Sequence, residues 1–239
     1  MPFDMPRDVI LPIDRVDVRL DPAPHPFEVA NAAEIDENWI GEQAANPAVF
    51  DGRMVLLSSL SHRDRRLEGT CHAIRFATFL HWRKHRDYSI AEHAYAHAAL
   101  VTTDNALVAI RMGPKTSNPG QVYFAAGSFE PSDFRDGLVD LHFNMAREVR
   151  EETGLDIDSL RRDPHSHALL EKGGAVIFRR YFLTDDAETV AAKIRDFVVG
   201  DPDPEIEEPV IIRHAGDLPT RLRPHMMPII NWHFANPAG

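Results

Sequence analysis

Arg147-Glu148-Val149-Arg150-Glu151-Glu152-Thr153-Gly154-Leu155 is the stretch on which the reading of this chain turns. On a helix, Glu148, Glu151 and Glu152 fall at i, i+3 and i+4, so their side chains leave one face and crowd one another. Like charges at that spacing destabilise a helix by roughly 0.2–0.5 kcal/mol per pair. A hard divalent cation such as Mg²⁺ or Mn²⁺ reverses the sign of that term, because it takes carboxylate oxygens as ligands. A solvated, glutamate-rich helix ended by a glycine cap is the plain alternative for three such residues taken alone.

The order of the residues separates these readings. Arg-Glu, an aliphatic residue, a spacer, Glu-Glu, a spacer, Gly and an aliphatic residue resemble the second half of the Nudix box at every specified position. Upstream, Ala126-Gly127-Ser128-Phe129-Glu130-Pro131-Ser132-Asp133 is similar to the loop that opens that box, with Gly127 as its glycine and Asp133 where the family has Glu. Thirteen residues separate Asp133 from Arg147 where the family has seven, an insertion of six. Leu138, Leu141, Met145 and Val149 recur at helical spacing, so the insertion is predicted to lengthen the helix at its front, with Asp136-Gly137 capping it. Asp140 rivals Asp133 for the missing carboxylate, one residue off the family spacing.

The resemblance implies an α/β Nudix fold, a mixed β-sheet sandwiched between α-helices, over residues 91–239, preceded by an α+β extension over residues 1–90. It implies metal ligation by Glu148, Glu151, Glu152 and the backbone carbonyl of Ala126, with Asp133 as a further ligand and Arg147 as the orienter completing the catalytic set. The family's general base can come from a later loop, which here offers Glu205, Glu207 and Glu208. Arg111 and Lys115, after the second strand of a predicted hairpin, are candidates for the substrate phosphate, against the plain reading of exposed basic side chains. The expected reaction uses Mg²⁺ or Mn²⁺ and water to cleave a nucleoside diphosphate linked to another group, of the nucleotide sugar or ADP-ribose type. Trp39, the stretch from Asn46-Pro47 to Phe50-Asp51-Gly52 and the insertion loosely resemble the branch acting on UDP-glucose. The alternative is a nucleotide-binding or regulatory protein on the same fold. Family members often pair, which admits a homodimer.

Composition narrows the field. Across 239 residues, 37 acidic residues outnumber 26 basic ones, a formal charge of −11 that argues against a general nucleic-acid binder. The lone Cys71 excludes an intramolecular disulfide and reads as packing. No apolar run approaches a membrane span, and Asp and Pro break the first twenty residues, so a cytoplasmic protein is expected. Glu92-His93-Ala94-Tyr95-Ala96-His97 spaces two histidines like a zinc-protease helix but has Ala where that motif needs Glu. The basic run from His81 to Arg86 reads as a solvated helix end.

The remaining pattern predicts strands at Arg15 to Leu20, Met54 to Leu57, Gly69 to Phe76, His97 to Thr102, Ala106 to Met112, Tyr123 to Ala126, Ala175 to Leu183 and Val210 to Ile212. Helices are predicted at Phe27 to Gln43, Ala77 to His85 and Ala187 to Val198, with a closing helix or turn near Pro224 to Ile230.

Overall fold

Alternation of Val16, Val18 and Leu20 with charged residues does give a strand, Arg15–Asp21, in the computed structural model, which describes residues 2–172 and 174–237. The fold is mixed α/β, with sheets flanked by helices. The chain forms two compact units, one from residues 1–95, 128–141 and 168–176, the other from residues 96–127, 142–167 and 177–239.

In the first unit a six-stranded sheet has the order Phe3–Asp4, Arg53–Arg63, Arg66–Arg75, Arg15–Asp21, Leu138–Val139, Phe134–Arg135. Its long hairpin turns on Asp64 and Arg65, both left-handed, the geometry that matches a two-residue turn to strand twist. Helices Ala32–Ala45 and Phe76–His85 cover it through a core that includes Phe27, Ile35, Leu56, Ile74, Leu80 and Trp82. The helix predicted from Phe27 is broken in two at Asn31. The Asn31 side chain donates to the Phe27 carbonyl at 2.7 Å, a local bond that competes with helix continuation. Lys84 pairs with Glu42 at 2.7 Å; the run expected as a solvated helix end does close Phe76–His85, but only Lys84, His85 and Arg86 are exposed, while His81 and Trp82 are buried in the core side of the helix. Burial pushes the Cys71 thiol up to about 12, so this cysteine packs and carries no thiolate at neutral pH.

The inserted segment does not extend the helix. Phe134–Arg135 and Leu138–Val139 pair as a small antiparallel hairpin whose tip is Asp136 at φ 51° and Gly137 at φ 76°. Asp-Gly is a strong two-residue hairpin signal, and here it outweighs the helical spacing of the leucines. The helix proper is Leu141–Thr153.

The second unit carries the strand order Ile206–Ile212, Leu107–Met112, Ala94–Val101, Gly174–Phe182, with Val122–Tyr123 added beside Leu107–Met112. Ala187–Gly200 packs over Ile206–Ile212, and Met226–Ala235 closes the unit with Met226, Ile229 and Ile230 buried. Because Ala94–Val101 is a strand, His93 and His97 stand roughly 13 Å apart along it instead of one helical turn apart, which removes the zinc-protease reading. His97 instead meets the Phe124 carbonyl at 3.2 Å and His225 at 3.0 Å. Among the described residues no helix is long and apolar enough to cross a membrane.

Glu92, in the first unit, is a buried carboxyl with a measurable consequence. One oxygen accepts from Arg7 at 2.6 Å; the other has no partner among the described residues. Burial pushes the group up to about 7 from the usual 4.5, against the opposing pull of Arg7. The folded state therefore holds this proton more tightly than the unfolded chain does. Its stability is full below the unfolded value and falls as pH rises toward about 7, by a few kcal/mol. Buried histidines with lowered values act in the opposite sense, so the effect is read as a difference: the calorimetric melting temperature of Glu92→Gln is expected to gain on that of wild type between about pH 5 and about pH 8. A difference that stays constant over that interval would contradict this account.

Candidate metal centre

Helix Leu141–Thr153 buries Met145, Ala146 and Val149, and that anchoring decides where its glutamates point. Glu148 and Glu152 turn inward, 9 % and 3 % exposed, whereas Glu151 stays at the surface. Gly154 ends the helix at φ 70°, where its N–H donates to the Arg150 carbonyl at 3.0 Å. A side chain there would also collide with the Phe197 ring, so Gly154 is required twice over.

The Ala126–Ser128 strand brings backbone against the glutamates. The Ala126 N–H donates to Glu152 Oε2 at 2.9 Å. A Cβ built on Gly127 would sit on the Glu148 carboxylate, so this close approach needs glycine. Burial first, and the charge of Glu148 second, raise the Glu152 carboxyl well above the usual carboxylate range; the Ala126 N–H opposes them. Arg147 donates to Glu148 at 2.8 Å and to Glu151 at 3.0 Å. It ties the buried and exposed carboxylates together.

The acidic segment behind the late strand contributes Glu205. Its carbonyl accepts from the Gly113 N–H at 2.8 Å, at a point where Gly113 leaves no room for a side chain. Partial burial, then Glu151, Asp201 and Asp203, raise the Glu205 carboxyl, while Arg147 lowers it. Glu205 also adds to the upward shift of Glu152, so four carboxylates share one electrostatic neighbourhood. Glu207 is the extra residue of a bulge between Ile206 and Glu208 and faces solvent. Glu208 lies opposite Arg111 and accepts from it at 2.9 Å. Lys115 pairs with Asp203 at 2.6 Å. The structure thus brings Glu148, Glu151, Glu152, Arg147 and Ala126 together, and gives Arg111, Lys115 and Glu208 other partners.

Asp133 lies in the first unit, where it is fully buried and its carboxylate accepts from the Glu130 N–H at 2.8 Å. Its own carbonyl accepts from the Asp140 N–H at 2.8 Å. It therefore ties the Pro131–Asp133 turn to the base of the inserted hairpin.

Sequence reasoning passed over Tyr123 and Arg223. Segment 221–223 runs parallel to Val122, whose N–H donates to the Arg221 carbonyl and whose carbonyl accepts from the Arg223 N–H, both at 3.0 Å. That pairing puts the Arg223 charge within electrostatic reach of Tyr123, His97 and His225. Burial, and then Glu152, raise the Tyr123 hydroxyl. A tyrosine in an apolar strand and an arginine in a proline-rich tail carry no local signal of such a role.

The donor set suits Mg²⁺ or Mn²⁺: all hard oxygen, with one buried carboxyl whose charge is suppressed by its neighbours and a glycine leaving the approach open. Among the described residues no three His, Cys, Asp or Glu side chains are already gathered as a cation cage.

No family model and no curated protein matches this chain. Its structure is similar to DR0079 from Deinococcus radiodurans, at 13 % identity and a TM-score of 0.45, over 76 % of this chain and 98 % of that one. It is similar to a Nudix hydrolase from Nitrosomonas europaea at 14 % identity and a TM-score of 0.32, over 51 % and 72 % of the two chains. A third likeness is to the Nudix domain of NrtR from Shewanella oneidensis, solved with ADP ribose, at 9 % identity and a TM-score of 0.32, again over 51 % and 72 %.

Proposed function

We propose that this chain is a Nudix-type hydrolase of phosphoanhydride bonds, cleaving a nucleoside diphosphate linked to another moiety, such as a nucleotide sugar or ADP-ribose. The products are a nucleoside monophosphate and a phosphorylated moiety. The observation that carries the reading is the buried Glu152 carboxyl, raised by burial and by the charges of Glu148, Glu205 and Glu151 beside the Ala126–Gly127 backbone, a state that is electrostatically costly without a cation. Glu148, Glu151, Glu152 and the Ala126 carbonyl would hold Mg²⁺ or Mn²⁺, which neutralises phosphate oxygens and acidifies bound water. Arg147 keeps the carboxylates oriented through its two ion pairs. Glu205, raised above the usual carboxylate value and open to solvent, is suited to take a proton from the attacking water. Arg223, which makes no ion pair with any described side chain, is better placed than the engaged Arg111 and Lys115 to receive a substrate phosphate.

Product analysis with Mg²⁺ or Mn²⁺ across nucleotide sugars, ADP-ribose, dinucleotides, coenzyme A and nucleoside triphosphates tests the reading. Selective cleavage is expected, with Glu205→Gln lowering kcat by on the order of 10²-fold and flattening the acid limb of its pH profile. Metal and nucleotide binding without turnover would transfer the chain to the regulatory, non-hydrolytic reading. Absence of metal binding would defeat both.

A further inference from the structure

Beyond the part of the first unit's sheet that packs on helices, the rows on either side of Thr70 and Glu68 are polar. Strand register sets Arg19 beside Thr70 and Thr70 beside Ser59; the next row runs Asp17, Glu68, Ser61 and Asp4. A groove of about 530 Å³ opens over these rows. Its carboxylates are all committed: Asp17 to Arg66 at 2.5 Å and Arg15 at 2.8 Å, Glu68 to Arg66 at 2.9 Å, and Asp4 to Arg63 at 3.1 Å. Arg19 is the exception among the groove's cations. Its guanidinium makes no ion pair or hydrogen bond with any described residue, and the hydroxyls of Ser61 and Thr70 are likewise unengaged.

What the groove leaves unmatched is one guanidinium, a donor only, and two hydroxyls that can donate or accept. A neutral polyol would leave the Arg19 charge uncompensated, and a cation would meet carboxylates already neutralised. An oxyanion satisfies all three groups at once, because the planar guanidinium fork matches a carboxylate or phosphate edge and hydroxyls complete the remaining lone pairs. We propose that this groove binds a small molecule through an oxyanion, with Arg19 as the principal contact and Thr70 and Ser61 beside it. None of these residues belongs to the carboxylate centre, so the proposal stands or falls separately from the hydrolase reading.

The test uses the full chain without metal, with the backbone N–H resonances of Ser61 and Thr70 followed by NMR during titration with inorganic phosphate and, separately, with acetate at constant ionic strength. Saturable perturbation of both is expected, retained in Glu152→Gln, weakened at least about tenfold in Arg19→Ala and partly restored in Arg19→Lys, whose point charge lacks the fork. Saturation by phosphate alone assigns a phosphate ligand; saturation by both assigns a site for either oxyanion; saturation by acetate alone assigns a carboxylate. Saturation by neither, or binding unchanged in Arg19→Ala, overturns the proposal. Arg19 is exposed and unpartnered, so its replacement leaves the fold intact, which circular dichroism verifies.

Discussion

Glu152→Gln is expected to lower metal-dependent turnover by on the order of 10³-fold while making the metal-free protein more stable. The two effects share one cause. Glu152 is 3 % exposed, and burial and the neighbouring Glu148 both oppose its charge. Glutamine keeps the oxygen that accepts the Ala126 N–H and removes the charge, which relieves desolvation and repulsion worth about 1–2 kcal/mol. The same change strips a ligand from the metal and weakens the field the cation needs. Steady-state rates with Mg²⁺, set beside thermal unfolding in a chelator, read both quantities on one preparation. A variant with wild-type turnover would remove Glu152 from the chemistry. A variant that loses both activity and stability would make the residue merely structural.

Gly127→Ala carries the second large effect. The added methyl falls on the Glu148 carboxylate, so either that carboxylate swings away or the Ala126–Ser128 backbone retreats. Overpacking of this kind costs about 1–3 kcal/mol. A displacement of about 1 Å at a reacting centre costs on the order of 10²-fold in rate. Loss of turnover with weaker metal binding, and only a modest fall in melting temperature, is the expected pattern. Full activity with unchanged metal affinity would mean that the Gly127–Glu148 contact is irrelevant to the reaction.

Much of this centre was legible because it is local. Glu148, Glu151, Glu152, Arg147 and Gly154 lie within nine residues, and helix periodicity alone places Glu148 and Glu152 on one face, while Glu151, a neighbour of both in spacing, stays at the surface. The strands at Arg15, Arg66 and Leu107 were legible for the same reason: alternation or an apolar run is written in consecutive residues. Roles that depend on partners distant in sequence were not. The acidic segment was marked as a source of a base, but the bulge at Glu207 and the pairing of Glu208 with Arg111 decide that Glu205 is the member near the carboxylates. Arg111 and Lys115 read as free cations until the strand Ile206–Ile212 and Asp203 supply their counter-ions. In the insertion, two signals compete, and a helical spacing of leucines gives way to an Asp-Gly turn whose strand finds a partner at Arg19.

The inserted hairpin ends before Leu141, and the glutamates ride on a helix clamped by Met145 and Val149. Adding or deleting residues at the Asp136-Gly137 tip alters the end of a hairpin and leaves each later side chain at its own azimuth. One residue added or removed between Met145 and Glu152 would rotate everything beyond it by about 100° and send the carboxylates elsewhere. Length is thus tolerated at the tip of the hairpin and forbidden within the helix.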